Sequence, residues 1–478
     1  MSPRRVAWPA LVWILILTAC TVMAYGRSVH VFFSQDDFVF LARAAGVSSA
    51  GGLVRSLAAA DHFYRPVPRV ALFVAELRLF GLNASGFHLV NLGLHTGNVL
   101  LLFLLCRRLS GSTLLAGLAG VFFAAHHVPF LAIYWVSGAQ DLCMVFFLLL
   151  SLHLCLRWLE VRRSLLWAAA LLAFAFALLS KEPAVTFPLI VLLFAFIWQR
   201  QPGTSARTRQ FLWCASRYAV VLCLYLLVRS QKATESIQAE GPYAWALSPG
   251  TVLNNLYTYL CDALGVRDWL AVAPQRAAWV CGCVLALVAV TFVASRRYRA
   301  PIALGLAWFA ISLLPMLFLT QRAYSYYAYL PLAGMAIVVG SLVAAPLERI
   351  FAGGWSGVPM RRIAGGAFVS LCVVCWLWFS AGQIRAATEQ DPAGILSKSV
   401  VARQVSAEVQ SLYPTLPTGS TLYVEGLTER NAWAVGNGDM FRLYYPGVVV
   451  VVVPEGETSE TVGNRGDSGY VYRFGGDR

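Results

Sequence analysis

About eleven apolar runs, each near the roughly 20 residues that a helix needs to cross a bilayer, constrain this chain more than any other feature. They occupy residues 7–25, 87–106, 112–128, 139–156, 165–180, 184–198, 211–228, 277–294, 301–319, 329–346 and 363–381. With 59% hydrophobic and 13% charged residues in 478, the chain reads as a polytopic α-helical membrane protein whose apolar surface faces lipid. The net charge of +14 does not point to nucleic acid. The arginines fall in short groups between runs, such as Arg107 with Arg108, Arg162 with Arg163, and Arg296, Arg297 and Arg299, as the positive-inside bias places them. That parity puts the N-terminus in the cytoplasm and the C-terminal residues outside. Arg4 and Arg5 precede a first run without a clear small-residue cleavage site, so an uncleaved span is expected rather than a signal peptide. The 11 cysteines sit almost entirely in apolar runs and imply no disulfide framework.

Residues 66–82 are apolar enough to suggest a further span, but Arg69, Glu76 and Arg78 make one costly, so this segment is expected along the interface. Residues 26–86 then form one outer loop carrying Asp36, Asp37, Asp61, His62 and Arg65. The same side collects His88, His126, His127, the stretch from Trp135 to Asp141, Lys181-Glu182-Pro183 and residues 321–329. A second outer loop over 230–274 holds a Leu253, Leu256, Tyr257 and Leu260 stripe suited to an interfacial helix. Two domains are expected: a transmembrane domain over 1–385 and a small α/β extracytoplasmic domain over 386–478. The latter would contain a helix over 398–412 and strands at 421–424, 448–453 and 469–474, the valine run 448–453 as a buried parallel strand.

The stretch Ser34-Gln35-Asp36-Asp37-Phe38 follows the first run. Paired carboxylates at a membrane surface are costly unless they serve a cation, a proton or a substrate; general base, metal ligand and N-terminal cap of a helix over 38–45 all remain open. Carboxylate and cations on one face suit glycosyl transfer from a lipid-linked phosphosugar, the acid taking a hydroxyl proton while cations stabilise a departing phosphate. Arg65 and Lys181 also suit snorkelling anchors. His88 and His95 fit helix packing as well as metal, and the tyrosines from Tyr324 to Tyr329 fit an interfacial belt as well as a sugar platform.

The acidic pair, with Tyr64-Arg65-Pro66-Val67, Leu79-Phe80-Gly81-Leu82, Gly86-Phe87-His88-Leu89-Val90-Asn91, His95-Thr96-Gly97-Asn98, His126, Trp135-Val136-Ser137-Gly138, Asp141, Lys181-Glu182-Pro183 and Tyr329-Leu330-Pro331 with Gly334, resembles the GT-C fold polyprenyl-phosphate-sugar-dependent glycosyltransferases. It is similar to bacterial relatives of the tetratricopeptide-bearing transmembrane O-mannosyltransferases, without the repeats. The resemblance covers roughly residues 30–335. It implies inverting transfer from a polyprenyl-phosphate sugar to a hydroxyl of a protein, lipid or glycan; the short inside loops and the absence of eukaryotic sorting signals suggest a bacterial plasma membrane. Asp36 would be the general base and Asp37 would orient it or bind acceptor. Arg65, His88, Lys181 and Arg322 are candidates for the donor phosphate; His126, His127, Asp141, Glu182 and Tyr324 for acceptor or sugar. No cofactor is assigned; the polyprenyl-phosphate sugar is the donor substrate, and a divalent metal ion is an option for the paired acids, though no third ligand is evident. Leu131 stands where such relatives commonly have Glu, Ala139 where they have Arg, and Tyr326 where they have Arg, with Arg322 about one turn earlier. A lipid-linked saccharide transporter and a catalytically silent assembly protein are the alternatives.

Overall fold

The computed structural model describes residues 7–59, 63–198, 205–232, 244–321, 323–352, 359–391, 393–462 and 469–475. A helix forms over each apolar run: Ala7–Tyr25, Ala84–Ser110, Thr113–Ala124, Ala139–Val161, Ser164–Leu178, Phe187–Trp198, Ser205–Lys232, Pro274–Ala294, Arg296–Leu313, Tyr329–Ala352 and Pro359–Gln390. Among the described residues, seven helical stretches are long and apolar enough to cross a membrane, while Thr113–Ala124, Ser164–Leu178 and Glu182–Phe194 are shorter. The 12 residues of Thr113–Ala124 rise only ~18 Å at 1.5 Å each, against ~30 Å of hydrocarbon. Helices thus stand at the eleven expected positions, but eleven spans are not shown: three are short, and Arg296–Leu313, with 18 residues, carries three arginines in its first turn.

Small residues bring these helices together. A Cβ on Gly305 would lie 2.5 Å from the Gly334 carbonyl oxygen, and one on Gly334 would lie 2.5 Å from that of Gly305, so Arg296–Leu313 and Tyr329–Ala352 cross at backbone contact. Beside this crossing, the Tyr329 hydroxyl sits 2.8 Å from His95 Nδ1 and accepts from Asn98 Nδ2 at 2.9 Å. His95 Nε2 lies 3.2 Å from the Ala124 carbonyl oxygen. All three side chains are buried. Both ring nitrogens of His95 are thus engaged inside the bundle, which makes it a packing residue, while the Asn98 Oδ1 is left buried without a hydrogen-bond partner among the described residues.

Residues 66–82, expected along the interface, contain no helix long enough to span a bilayer. They form a wide turn over Val67–Leu72 and a short helix, Phe73–Phe80. Leu79 is exposed, but Arg69 and Glu76 turn inward and are buried. Of the three charges that argue against a span, Arg69 and Glu76 are covered by protein, while Arg78 is exposed.

The C-terminal residues supply the helix Ile395–Leu412 and a parallel sheet of β1 (Thr421–Glu425), β2 (Val449–Val452) and β3 (Tyr470–Arg473), in the order β2-β1-β3. The valine strand is parallel as expected, yet it is an edge, and Val449 is exposed. The buried centre is β1, where Leu422 and Val424 are fully covered. One hydrophobic core joins this sheet to the first outer loop: Val405, Leu422, Phe441 and Tyr472 pack in the same cluster as Phe38, Leu41, Phe73 and Phe87.

Candidate active site

The acidic pair opens the helix Asp36–Ala45. Neither acid caps it: the N-cap position is Gln35, whose side chain makes no capping bond. Both lie in the first turn, where the helix dipole favours negative charge. Gln35 has φ of 58°, a conformation that costs a side-chain-bearing residue and persists only under external constraint. The C-terminal residues provide that constraint. Gln35 N donates to the Ala434 carbonyl at 3.2 Å, and Gln35 Nε2 donates to that of Ala393 at 3.2 Å.

The two carboxylates diverge. Asp37 is buried; its Oδ1 accepts from Ser137 N at 2.8 Å and Ser137 Oγ at 2.5 Å, and its Oδ2 accepts from Ser34 N at 2.9 Å. Burial nevertheless pushes its pKa up to about 7, against the pull of those donors. Both of its oxygens are turned to Ser34 and Ser137. Among the described residues, no group of three His, Cys, Asp or Glu side chains is arranged to hold a metal ion.

Asp36 is partly exposed and lines a cavity of about 170 Å³ with Arg65, Arg69, Gln140, Asp141 and Lys181. A second cavity, of about 320 Å³, is walled by Phe63, Trp245, Met316, Phe318 and Leu319. Arg65 and Lys181 line both, so the cations stand where a polar chamber meets an apolar one.

Arg65 and Lys181 are each held by an acid. Arg65 donates to Glu182 through Nε at 3.0 Å and Nη2 at 2.5 Å, and to Gln140 Oε1 through Nη1 at 2.6 Å. Arg229 donates to the same Glu182 at 3.1 Å. Lys181 Nζ donates to Asp141 Oδ2 at 2.5 Å and lies 4.6 Å from the centre of the Tyr326 ring. Paired, multiply bonded cations of this kind keep a fixed geometry.

Several candidates lie elsewhere. His88 is fully buried, its Nδ1 3.2 Å from the Ile133 carbonyl oxygen, and it lines neither cavity. The inward face of its helix carries it into the core, a direction that its interfacial position in sequence does not reveal. His126 is buried too, with Nε2 3.2 Å from the Ala263 carbonyl oxygen. His127 and Tyr324 line a third cavity, beside the first. Glu182 and Asp141 hold cations. Arg322, Asp61 and His62 lie outside the described residues. Sequence reasoning missed Gln140 and Arg229. Glutamine carries no charge signal, and an arginine ending an apolar run reads like any interfacial anchor.

A family model described as Dolichyl-phosphate-mannose-protein mannosyltransferase matches residues 68–234. Among solved structures, the chain is similar to ArnT from Cupriavidus metallidurans in the apo state, with a TM-score of 0.47 and 13% identity, covering 89% of this chain and 84% of that one. For ArnT from the same organism bound to undecaprenyl phosphate the values are 0.48, 14%, 94% and 87%. For the Archaeoglobus fulgidus oligosaccharyltransferase tethered with an acceptor peptide containing the NVT sequon they are 0.49, 14%, 93% and 64%. No curated protein matches the chain significantly.

Proposed function

We propose that this multi-pass membrane chain, similar over residues 68–234 to the dolichyl-phosphate-mannose-protein mannosyltransferase family, is a GT-C glycosyltransferase that moves a sugar from a polyprenyl phosphate to an acceptor hydroxyl. The observation that carries the reading is the shared wall: Arg65 and Lys181 line both the apolar cavity and the chamber holding Asp36. A polyprenyl-phosphate sugar has the same division, an apolar chain ending in an anionic phosphodiester that carries the sugar. Its chain would lie against Trp245, Met316, Phe318 and Leu319, its phosphate at Arg65 and Lys181, and its sugar beside Asp36.

The reaction then needs little covalent help from the protein. Asp36 accepts the proton of the acceptor hydroxyl as the oxygen attacks the anomeric carbon from the face opposite the phosphate. The bond from that carbon to the phosphate oxygen breaks, the anomeric centre inverts, and the electron pair leaves with polyprenyl phosphate. Arg65 and Lys181 stabilise the charge that grows on the leaving oxygen. Glu182 and Asp141 keep those cations oriented, so little reorganisation accompanies the reaction. Asp37, anchored on Ser34 and Ser137, positions Asp36. Following the positive-inside parity, this site faces outward from a bacterial plasma membrane, with the N-terminus inside and the C-terminal sheet outside.

The test is transfer of radiolabelled sugar from a panel of polyprenyl-phosphate sugars into membrane extract, wild type against Asp36→Asn at matched expression. Removing a general base costs about 10²- to 10⁴-fold. Loss of that order in the variant, with donor binding retained, is expected. Equal transfer by both proteins, or donor binding without transfer by either, sinks the reading.

A further inference from the structure

A third cavity, of about 160 Å³, adjoins the chamber of Asp36; Leu131 and Tyr326 line both. Its other walls include His127, Tyr324, Gln383, Gln390 and Ala393. We infer that this cavity is the acceptor subsite and that it takes a neutral carbohydrate, which offers one ring hydroxyl across Leu131 and Tyr326 to Asp36. The inference rests on the glycosyltransferase reading above and adds the class of acceptor.

The lining has the chemistry of a sugar site. Gln383 and Gln390 lie seven residues apart on the helix Pro359–Gln390 and so share a face, with the small Ala387, also in the lining, between them. A primary amide both donates and accepts hydrogen bonds, as a hydroxyl does, so two amides in register suit a ring bearing several hydroxyls. Across from them, the Tyr324 and Tyr326 rings stack 5.5 Å apart at 13°, and Tyr324 is 40% exposed. An aromatic face of this kind packs against the C–H face of a pyranose.

Charge argues against an anionic acceptor. Arg267 lines the cavity, but its Nη1 donates to the buried Asp262 carboxylate at 2.5 Å and to Ser325 Oγ at 3.3 Å, and its Nη2 donates to the Ala323 carbonyl. Ser325 Oγ donates to the other oxygen of Asp262 at 2.8 Å, with His127 Nε2 3.9 Å from that same oxygen. A phosphate or carboxylate arriving here would have to break this network. Size argues against an extended peptide. A cavity of about 160 Å³ is well below the ~300 Å³ at which sites for larger ligands begin, and admits a single ring.

The subsite is also joined to the base. Ala393, in its wall, accepts the hydrogen bond from Gln35 Nε2 at 3.2 Å, and Gln35 directly precedes Asp36. A ring resting on this wall therefore bears on the segment that fixes the base, which sets the hydroxyl in register with it.

The experiment uses the full chain in lipid nanodiscs, with tritiated polyprenyl-phosphate sugars as donors. Labelled neutral gluco-, manno- and galacto-oligosaccharides are compared as acceptors with Ser/Thr-containing peptides, by transfer and by equilibrium dialysis. We expect an oligosaccharide to bind and to accept sugar. Tyr324→Ala and Gln383→Ala should each weaken its binding about tenfold, the loss of one good contact, while Tyr324→Phe, which keeps the ring, preserves it. Unchanged polyprenyl-phosphate binding reports that the variants are folded. Saccharide binding at wild-type strength in both alanine variants overturns the site. Transfer to peptides but not saccharides overturns the acceptor class and leaves the glycosyltransferase reading standing. Absence of both donor binding and transfer overturns that reading, and this inference with it.

Discussion

Asp37 gives both carboxylate oxygens to Ser34 and Ser137, yet burial holds its pKa at about 7. Protonation would place an O–H among these donors, so either the Ser137 hydroxyl turns to accept it or a backbone N–H gives up its bond, and the network that fixes the segment carrying Asp36 rearranges. Transfer should accordingly fall as pH drops below ~7. Asp37→Asn should lower kcat by about 10- to 100-fold, the scale of an ångström of misplacement, and abolish that acid limb; pH–rate profiles of the two proteins check this. An acid limb of unchanged shape in the variant would assign the titration to another group. Glu76 is the second buried acid. Among the described residues neither of its carboxyl oxygens has a hydrogen-bond partner, and burial, reinforced by the nearby Asp37, raises its pKa to about 9. The folded protein thus holds this proton where the unfolded chain, with a value near 4.5, has released it. Stability from this group is complete below ~4.5 and is lost as pH rises towards 9, by up to ~1.4 kcal/mol per unit. Glu76→Gln removes the ionisation, so its melting temperature should match wild type near pH 5 and exceed it increasingly towards pH 9. Parallel melting curves across that range would count against a buried neutral acid.

Helices and crossings carry the next scale. Gly334 stands in a stretch that reads as a motif, but its place in the fold is a crossing: the added Cβ would lie 2.5 Å from the Gly305 carbonyl and 2.8 Å from Phe309 N. Backbone atoms on both sides leave no flexible neighbour to yield. Gly334→Val should destabilise the bundle by ~1–3 kcal/mol or more, as overpacking does, and lower its melting temperature in detergent; an unchanged midpoint would show that the helices separate freely. Much of this scale is legible in sequence. Hydropathy locates the helices because burial in lipid leaves a continuous apolar record, and the C-terminal strands follow from β-branched runs between turn residues. What the record lacks is direction. Spacing brings Asp36, Arg65 and Lys181 to one end of the bundle, but it cannot tell that Asp37 and His88 face the core. Nor does it tell that Lys181 meets Asp141, a pairing across 40 residues of chain. Length fails for a related reason. A short apolar helix such as Thr113–Ala124, fully buried from Leu115 to Ala124, is apolar because protein surrounds it, and composition does not separate that environment from lipid.

At the scale of the whole molecule, the C-terminal sheet and the first outer loop are one packing unit. Their shared core holds Phe38 and Leu41 against Phe441 and Tyr472, Arg403 Nη2 donates to the His30 carbonyl at 2.6 Å, and the strained backbone of Gln35 is tied to Ala434 and Ala393. The sheet therefore acts on the acid that faces the polar chamber, while the apolar chamber takes Phe63 and Arg65 from the first outer loop and its other walls from the helical bundle and later loops. The two can be separated experimentally at Gly436. Its φ is +63°, and a Cβ there would lie 2.9 Å from Phe38 Cβ and 3.3 Å from the Gln35 carbonyl oxygen. Valine is unfavourable in that conformation and would push the sheet off the helix Asp36–Ala45. Gly436→Val should reduce sugar transfer about 100-fold or more, since Asp36 loses its register, while binding of polyprenyl phosphate changes little because Arg65, Lys181 and the apolar wall are untouched. Donor binding lost in parallel with transfer would mean that the sheet holds up the bundle as a whole. Transfer that survives the substitution would mean that the loop positions its own base, leaving the sheet free for another task.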